Sequence, residues 1–125
     1  MRNSETLQDP ASFVPLKPDL FHILLAMREE SLHGYGIMKA VEEKTGGAIA
    51  LEPSPLYRRL KRLLEAGIVA VDPQRFGTDS GGPERRYYCL TRLGRQVLAA
   101  EAARVVELAR DGAVRRLAAA AGRVR

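Results

Sequence analysis

The 125-residue sequence has one cysteine and no tryptophan. A lone thiol, Cys89, forms no internal disulfide. With His22 and His33 as the only histidines, it falls short of the ligand set of a structural zinc site. No metal or other cofactor is expected. Without tryptophan, indole stacking on a bound aromatic is excluded. Long apolar runs are missing too. None exceeds five residues, as in Ile23 to Met27, well short of the ~20 residues that cross a bilayer. The first fifteen residues carry acids and prolines where a secretory signal needs an apolar segment. The expected compartment is therefore the cytoplasm, with no membrane partner. Paired acid–base groups are scarce as well. Glu42 and Glu43 are adjacent, so they point to different faces of a helix. No constellation supports catalysis, and the chain is not expected to be an enzyme.

What remains is ordinary for a globular protein: 46% apolar and 28% charged residues. The length suits one small domain with an appended helix. Its core is small enough that a partner subunit would add to it. The net charge is +5 and unevenly placed. Residues 1–52 carry five basic and eight acidic side chains, residues 53–92 eight and four, and residues 93–125 seven and three. A basic half fits an acidic partner, of which nucleic acid is the usual one. Arg-rich soluble helices are the plainer alternative, and charge alone does not separate the two.

Residues 1–15 read as a loose arm, with Pro10 and Pro15 and no apolar period. A helix is predicted from Lys17–Asp19 onward, because Leu20, Ile23, Leu24 and Met27 fall on one stripe. Ser31-Leu32-His33-Gly34 reads as a turn. Tyr35 to Thr45 reads as a second helix, with Ile37 and Val41 inward and Gly46-Gly47 as its stop. A third helix is predicted with Ser54 as its cap and Pro55 at its first position. Leu56, Leu60, Leu63 and Leu64 form its buried stripe, and Gly67 ends it. Ile68 to Val71 and Arg86 to Leu90 are β-prone, and the Gly-rich segment between them makes a hairpin loop. Thr91 then caps a long C-terminal helix. Its stripe runs through Leu98, Ala102, Val105, Ala109, Ala113 and Leu117, and Gly112 marks a kink or close crossing. Three helices, a hairpin and a last helix make a mainly α winged helix-turn-helix. The predicted units are a flexible arm (1–15), a winged helix-turn-helix (16–92) and a C-terminal dimerisation helix (93–125).

Opposite the leucine stripe of the third helix lie Arg58, Lys61, Arg62 and Glu65, flanked by Tyr57 and Arg59. A helix with an apolar back and a cationic front fits the DNA major groove. Its N-terminal turn, Ser54 to Arg58, would point at base edges or phosphates. The Tyr57 hydroxyl suits a phosphate. A solvated face, with these charges pairing among themselves, is the alternative. The hairpin carries Arg75 at one shoulder and Arg85 and Arg86 at the other, placed to reach a groove or the phosphate backbone. The loop has no Lys-Ser/Thr pair of a phosphate-binding loop. His33 reads as a turn residue rather than a ligand, and Cys89 as a small core residue rather than a nucleophile.

Three motifs, in order, resemble the PadR-like transcriptional regulators over roughly residues 16–100. They are His33-Gly34-Tyr35, then Leu56, Tyr57, Leu60, Arg62 and Leu63 followed by Gly67-Ile68, then Arg86-Tyr87-Tyr88 with Leu90, Thr91 and Gly94. Ser54-Pro55 stand where the family usually has Gly-Thr. The resemblance implies a homodimeric repressor that binds double-stranded DNA and responds to a small-molecule or stress signal. It also implies pairing through the C-terminal helix and an inverted-repeat operator. The DNA-contacting residues would be Ser54, Tyr57, Arg58, Arg59, Lys61, Arg62, Arg75, Arg85 and Arg86. A winged-helix protein-interaction module that does not bind DNA is the rival reading.

Overall fold

Four apolar stripes meet in one core in the computed structural model, which describes residues 8–76 and 86–124. Helix α1 (Pro18–Ala26) starts on a proline, whose missing N–H has no partner to lose at a first helical position. It buries Ile23 and Leu24, with Met27 just past its end. Helix α2 (Gly34–Lys44) contributes Ile37 and Val41. It stops at Gly46 and Gly47, both at positive φ, where glycine is at ease. Helix α3 (Pro53–Glu65) contributes Leu56, Leu60 and Leu63.

The start of α3 differs from the sequence reading. Glu52 is the N-cap residue and its side chain makes no capping bond. Pro53, not Pro55, takes the first position, and exposed Ser54 is the second residue of the helix rather than its cap. The reason is that neither proline needs an N–H acceptor in the first turn, so α3 extends back to the earlier one.

Strands β2 (Val69–Phe76) and β3 (Arg86–Leu90) form the expected hairpin. A register shift between Val71 and Phe76 contains Pro73, a residue with no N–H for a regular ladder. The segment expected as a turn holds a third strand, β1 (Leu32–His33), which pairs with β3 through Leu32 with Tyr88 and His33 with Tyr87. The sheet order is β1-β3-β2. His33 then ends β1 and caps α2, its Nδ1 accepting from Gly36 N–H at 2.9 Å.

Helix α4 (Arg92–Ala109) begins at Thr91, whose hydroxyl accepts from Gly94 N–H at 2.9 Å. Its first half packs on the core through Gly94, Val97 and Leu98. The C-terminal helical segment does not continue unbroken. Arg110 and Asp111 interrupt it, and the Asp111 carboxylate accepts from Ala113 N–H and Val114 N–H, starting α5 (Gly112–Val124). An Asx cap followed by glycine is a strong local start signal, and here it divides one helix into two.

Of the arm expected over 1–15, residues 1–7 lie outside the described residues, and the part from residue 8 on is more ordered than its composition suggests. Pro10–Phe13 form a 3-10 turn capped by Asp9. Phe13 and Leu16 pack against the core. Leu16 N–H donates to Glu101 of α4 at 3.1 Å. Glu101 is 1% exposed and is the buried charged group of the core. Arg104 binds it through two nitrogens, Nε at 3.1 Å and Nη2 at 2.6 Å. These donors, led by Arg104 and opposed by burial, hold the Glu101 carboxyl below the ordinary glutamate range.

Candidate nucleic-acid interface

Helix α3 turns Leu56, Leu60 and Leu63 to the core and leaves Ser54, Arg58, Lys61, Arg62 and Glu65 exposed. This is the two-faced helix expected from the spacing. Among the described residues, Arg58, Lys61 and Arg62 are held in no ion pair, so the pairing alternative does not describe this face.

Arg59 sits differently from its neighbours. Its Nε donates to Asp19 of α1 at 2.5 Å and its Nη1 to the Pro55 carbonyl at 3.2 Å. Both partners of the ion pair are mostly buried, with side chains 34% and 19% exposed. Arg59 therefore ties α3 to α1. Tyr57 also faces its own protein. A Cβ on Gly34 would lie 2.2 Å from the Tyr57 hydroxyl and 2.7 Å from its ring. The first and second sequence motifs thus meet here, since only glycine at position 34 lets α2 approach Tyr57 this closely.

The third motif closes the wing onto the end of α3. The Thr91 hydroxyl reaches the carbonyls of Gly67 at 2.6 Å and Ile68 at 3.0 Å. A Cβ on Gly94 would meet the Ile68 carbonyl oxygen at 2.1 Å. Along the sheet, His33 stacks on Tyr87 with ring centroids 5.1 Å apart, and Tyr35 packs edge-on against His33 at 6.3 Å. This row links the start of α2 to the wing strand that carries exposed Arg86. Arg75 lies on β2. Arg85 and the tip of the hairpin loop lie outside the described residues.

The remaining chemical-looking residues fall elsewhere. His33, expected as a turn residue, is instead the last residue of β1 and the cap of α2. Cys89 is half-buried on β3. Burial, with the nearby Asp72 carboxylate second, pushes its thiol up from its ordinary value, away from nucleophilic character. Among the described residues no group of His, Cys, Asp and Glu could hold a metal ion. Among the same residues no helix is long and apolar enough to cross a membrane.

Two residues of consequence were not singled out from the sequence. Asp19 is an ordinary-looking acid at a helix start, and its partner lies 40 positions away. Glu101 sits in a helix rich in charge, with no pattern to mark it as inward. Its nearest signal is position: it lies four residues after Val97 and three after Leu98, on the buried stripe of α4.

A three-helix core, a wing and a cationic third helix define a winged helix-turn-helix protein. Residues 23–100 match the model of the transcriptional regulator PadR-like family, and the chain belongs to that family. It is a family of transcriptional regulators, not of enzymes. The fold is similar to that of Bacillus subtilis PadR, solved in complex with operator DNA, with 28% identity and a TM-score of 0.56. That match covers 68% of this chain and 46% of the Bacillus chain, so the chain spans about half the length of that relative. A transcriptional regulator from Clostridium thermocellum, Cth-833, shares the fold with 23% identity and a TM-score of 0.56, covering 86% of this chain and 90% of the other. Comparison with curated proteins returns no match.

Proposed function

We propose that the chain is a sequence-specific, DNA-binding transcriptional repressor that works as a homodimer. The observation that carries this reading is the exposed row Arg58, Lys61 and Arg62 on α3, held in no ion pair among the described residues and backed by buried leucines. The operator complex of the Bacillus relative supports the same assignment. Arg58 and Arg62 read base edges, where one bidentate arginine–guanine pair is worth ~1–3 kcal/mol of discrimination. Lys61, Ser54 and the wing residues Arg75, Arg85 and Arg86 hold phosphates. In this reading Tyr57 and Arg59, expected from the sequence among the DNA contacts, act by setting the position of α3 through Gly34 and Asp19 rather than by holding phosphates.

In this reading residues 16–92 form the DNA-binding unit and residues 93–125 the dimerisation segment. The support is an apolar face without a cover in one chain. Val105 and Leu108, three residues apart on one face of α4, are 37% and 50% exposed, and Leu117 of α5 is 71% exposed. A second copy covers that face and sets two copies of α3 about one helical turn of DNA apart, ~34–36 Å. The operator is then an inverted repeat, and a small-molecule or stress signal releases the protein from it. The setting is cytoplasmic.

The test is a double substitution, Arg58→Ala with Arg62→Ala. Affinity for an inverted repeat upstream of the protein's own reading frame should fall at least tenfold, with an unchanged circular dichroism spectrum. Undiminished binding by a folded double variant would remove α3 from the interface.

A further inference from the structure

Beside the recognition helix lies a cavity of about 550 Å³, within the ordinary range for small-molecule sites. Its wall is aliphatic: Leu16 and Leu20 from the N-terminal side, Leu63 and Ala66 from the end of α3, and Ile68 beyond it. Its polar lining is entirely cationic. Lys17, Arg58 and Arg62 are exposed at the rim, while Arg59 is neutralised by Asp19. Among the described residues no acidic side chain lines the cavity. Aliphatic side chains beside cations that hold no ion pair among the described residues fit a molecule with an aliphatic body and one anionic head. Among the described residues Phe13 is the one aromatic in the lining, which favours an alkyl chain over a stacked ring.

We infer that this cavity binds an acyl chain with one carboxylate, the head paired with Arg62 and Arg58, and that binding competes directly with DNA. The competition follows from shared residues. Arg58 and Arg62 belong both to the rim and to the exposed face of α3. A carboxylate held there neutralises charge that phosphates would otherwise meet, and draws the guanidinium groups toward α1. No movement of the wing or of the second subunit is required. The acyl chain also rests on Leu16, whose amide is fixed by Glu101, so one wall of the site depends on that buried carboxylate. The competitive effect rests on the DNA-binding reading; occupancy of the cavity does not.

The experiment is calorimetry of the full DNA-free chain with sodium decanoate, below its micelle concentration, against decanol as the uncharged equivalent. Saturable binding of one decanoate per chain is expected, at least tenfold tighter than decanol. One charge-assisted hydrogen bond corresponds to about tenfold in affinity. Arg62→Gln, an exposed substitution that leaves the core untouched, should weaken decanoate about tenfold. Ala66→Phe, which fills the cavity, should abolish it. Backbone amide shifts in NMR should move at Leu20 and Ala66. The inference is overturned if no saturable binding occurs, as when a second copy of the chain fills the groove. It is equally overturned if the folded Arg62→Gln variant binds decanoate as the parent does. A second titration measures DNA affinity with and without decanoate, and a competitive loss of DNA binding is expected. Loss of DNA binding in the absence of decanoate would refute the regulator reading, while calorimetry would still decide the cavity.

Discussion

Replacing Glu101 by alanine removes the acceptor that fastens the N-terminal segment to α4. The cost follows from what each partner does next. The Leu16 amide, part-buried, loses its acceptor at 3.1 Å. A buried donor without a partner costs ~1–3 kcal/mol. Arg104, 41% exposed at its side chain, turns back into water and adds nothing to that figure. Unfolding in urea should therefore show a loss of about 1–3 kcal/mol. Glu101→Gln, which keeps a neutral acceptor for Leu16, should lose less than half as much. Hydrogen exchange gives the local readout: the Leu16 amide should exchange faster in the alanine variant, while amides of α2 keep their protection. The same bond has a pH signature. The folded carboxyl titrates below its unfolded value, so its contribution is present in full above the ordinary glutamate pKa of ~4.3. It is lost as pH falls through the lower folded value. Stability of the parent should thus fall more steeply than that of Glu101→Gln below about pH 4.3. An alanine variant within 0.5 kcal/mol of the parent, the ordinary scatter of a neutral surface change, with Leu16 exchange unaltered, would refute this reasoning.

Other substitutions test the remaining joints of the fold. Gly94→Ala places a Cβ 2.1 Å from the Ile68 carbonyl oxygen and should destabilise by ~1–3 kcal/mol in thermal unfolding. Gly122→Ala meets nothing within 4 Å and should be neutral or stabilise by up to ~1 kcal/mol. His33→Ala removes the cap of α2 and should cost about 1 kcal/mol, much of it recovered by His33→Asn, which caps well. Arg59→Ala should lower stability because it breaks the tie to Asp19. Arg58→Ala should leave stability within ~0.5 kcal/mol and weaken DNA binding instead.

Which parts of this structure could be read in advance depended on how local their causes are. Leu56, Leu60 and Leu63 of α3, the Gly46-Gly47 stop and the Thr91 cap declare themselves within a few residues and are where the pattern puts them, whereas Leu64, expected in the same stripe, is only partly buried at its edge. Strand β1 has two residues, too few for any period to show, and it exists because β3 offers an edge to pair with. The start of α3 was misplaced by two residues because two prolines in one turn are equally acceptable to the helix. The break at Asp111 lay close to Gly112, already a weak point in the pattern. Composition distinguishes neither Arg59 from Arg58 on α3 nor Glu101 from Glu107 on α4. Each inward-facing member is selected by a partner far along the chain, Asp19 in one case and Leu16 in the other.

In the proposed function, α3 and the wing read a particular DNA sequence. The most direct test of this is a titration of labelled upstream DNA and a scrambled duplex at several salt concentrations. Binding should be tighter to the upstream fragment, and log affinity should fall linearly with log salt at a slope of about −0.9 per phosphate contact. Arg58→Ala with Arg62→Ala should lose the preference for the upstream fragment and make the slope shallower. Absence of binding to either duplex at low salt would contradict the account.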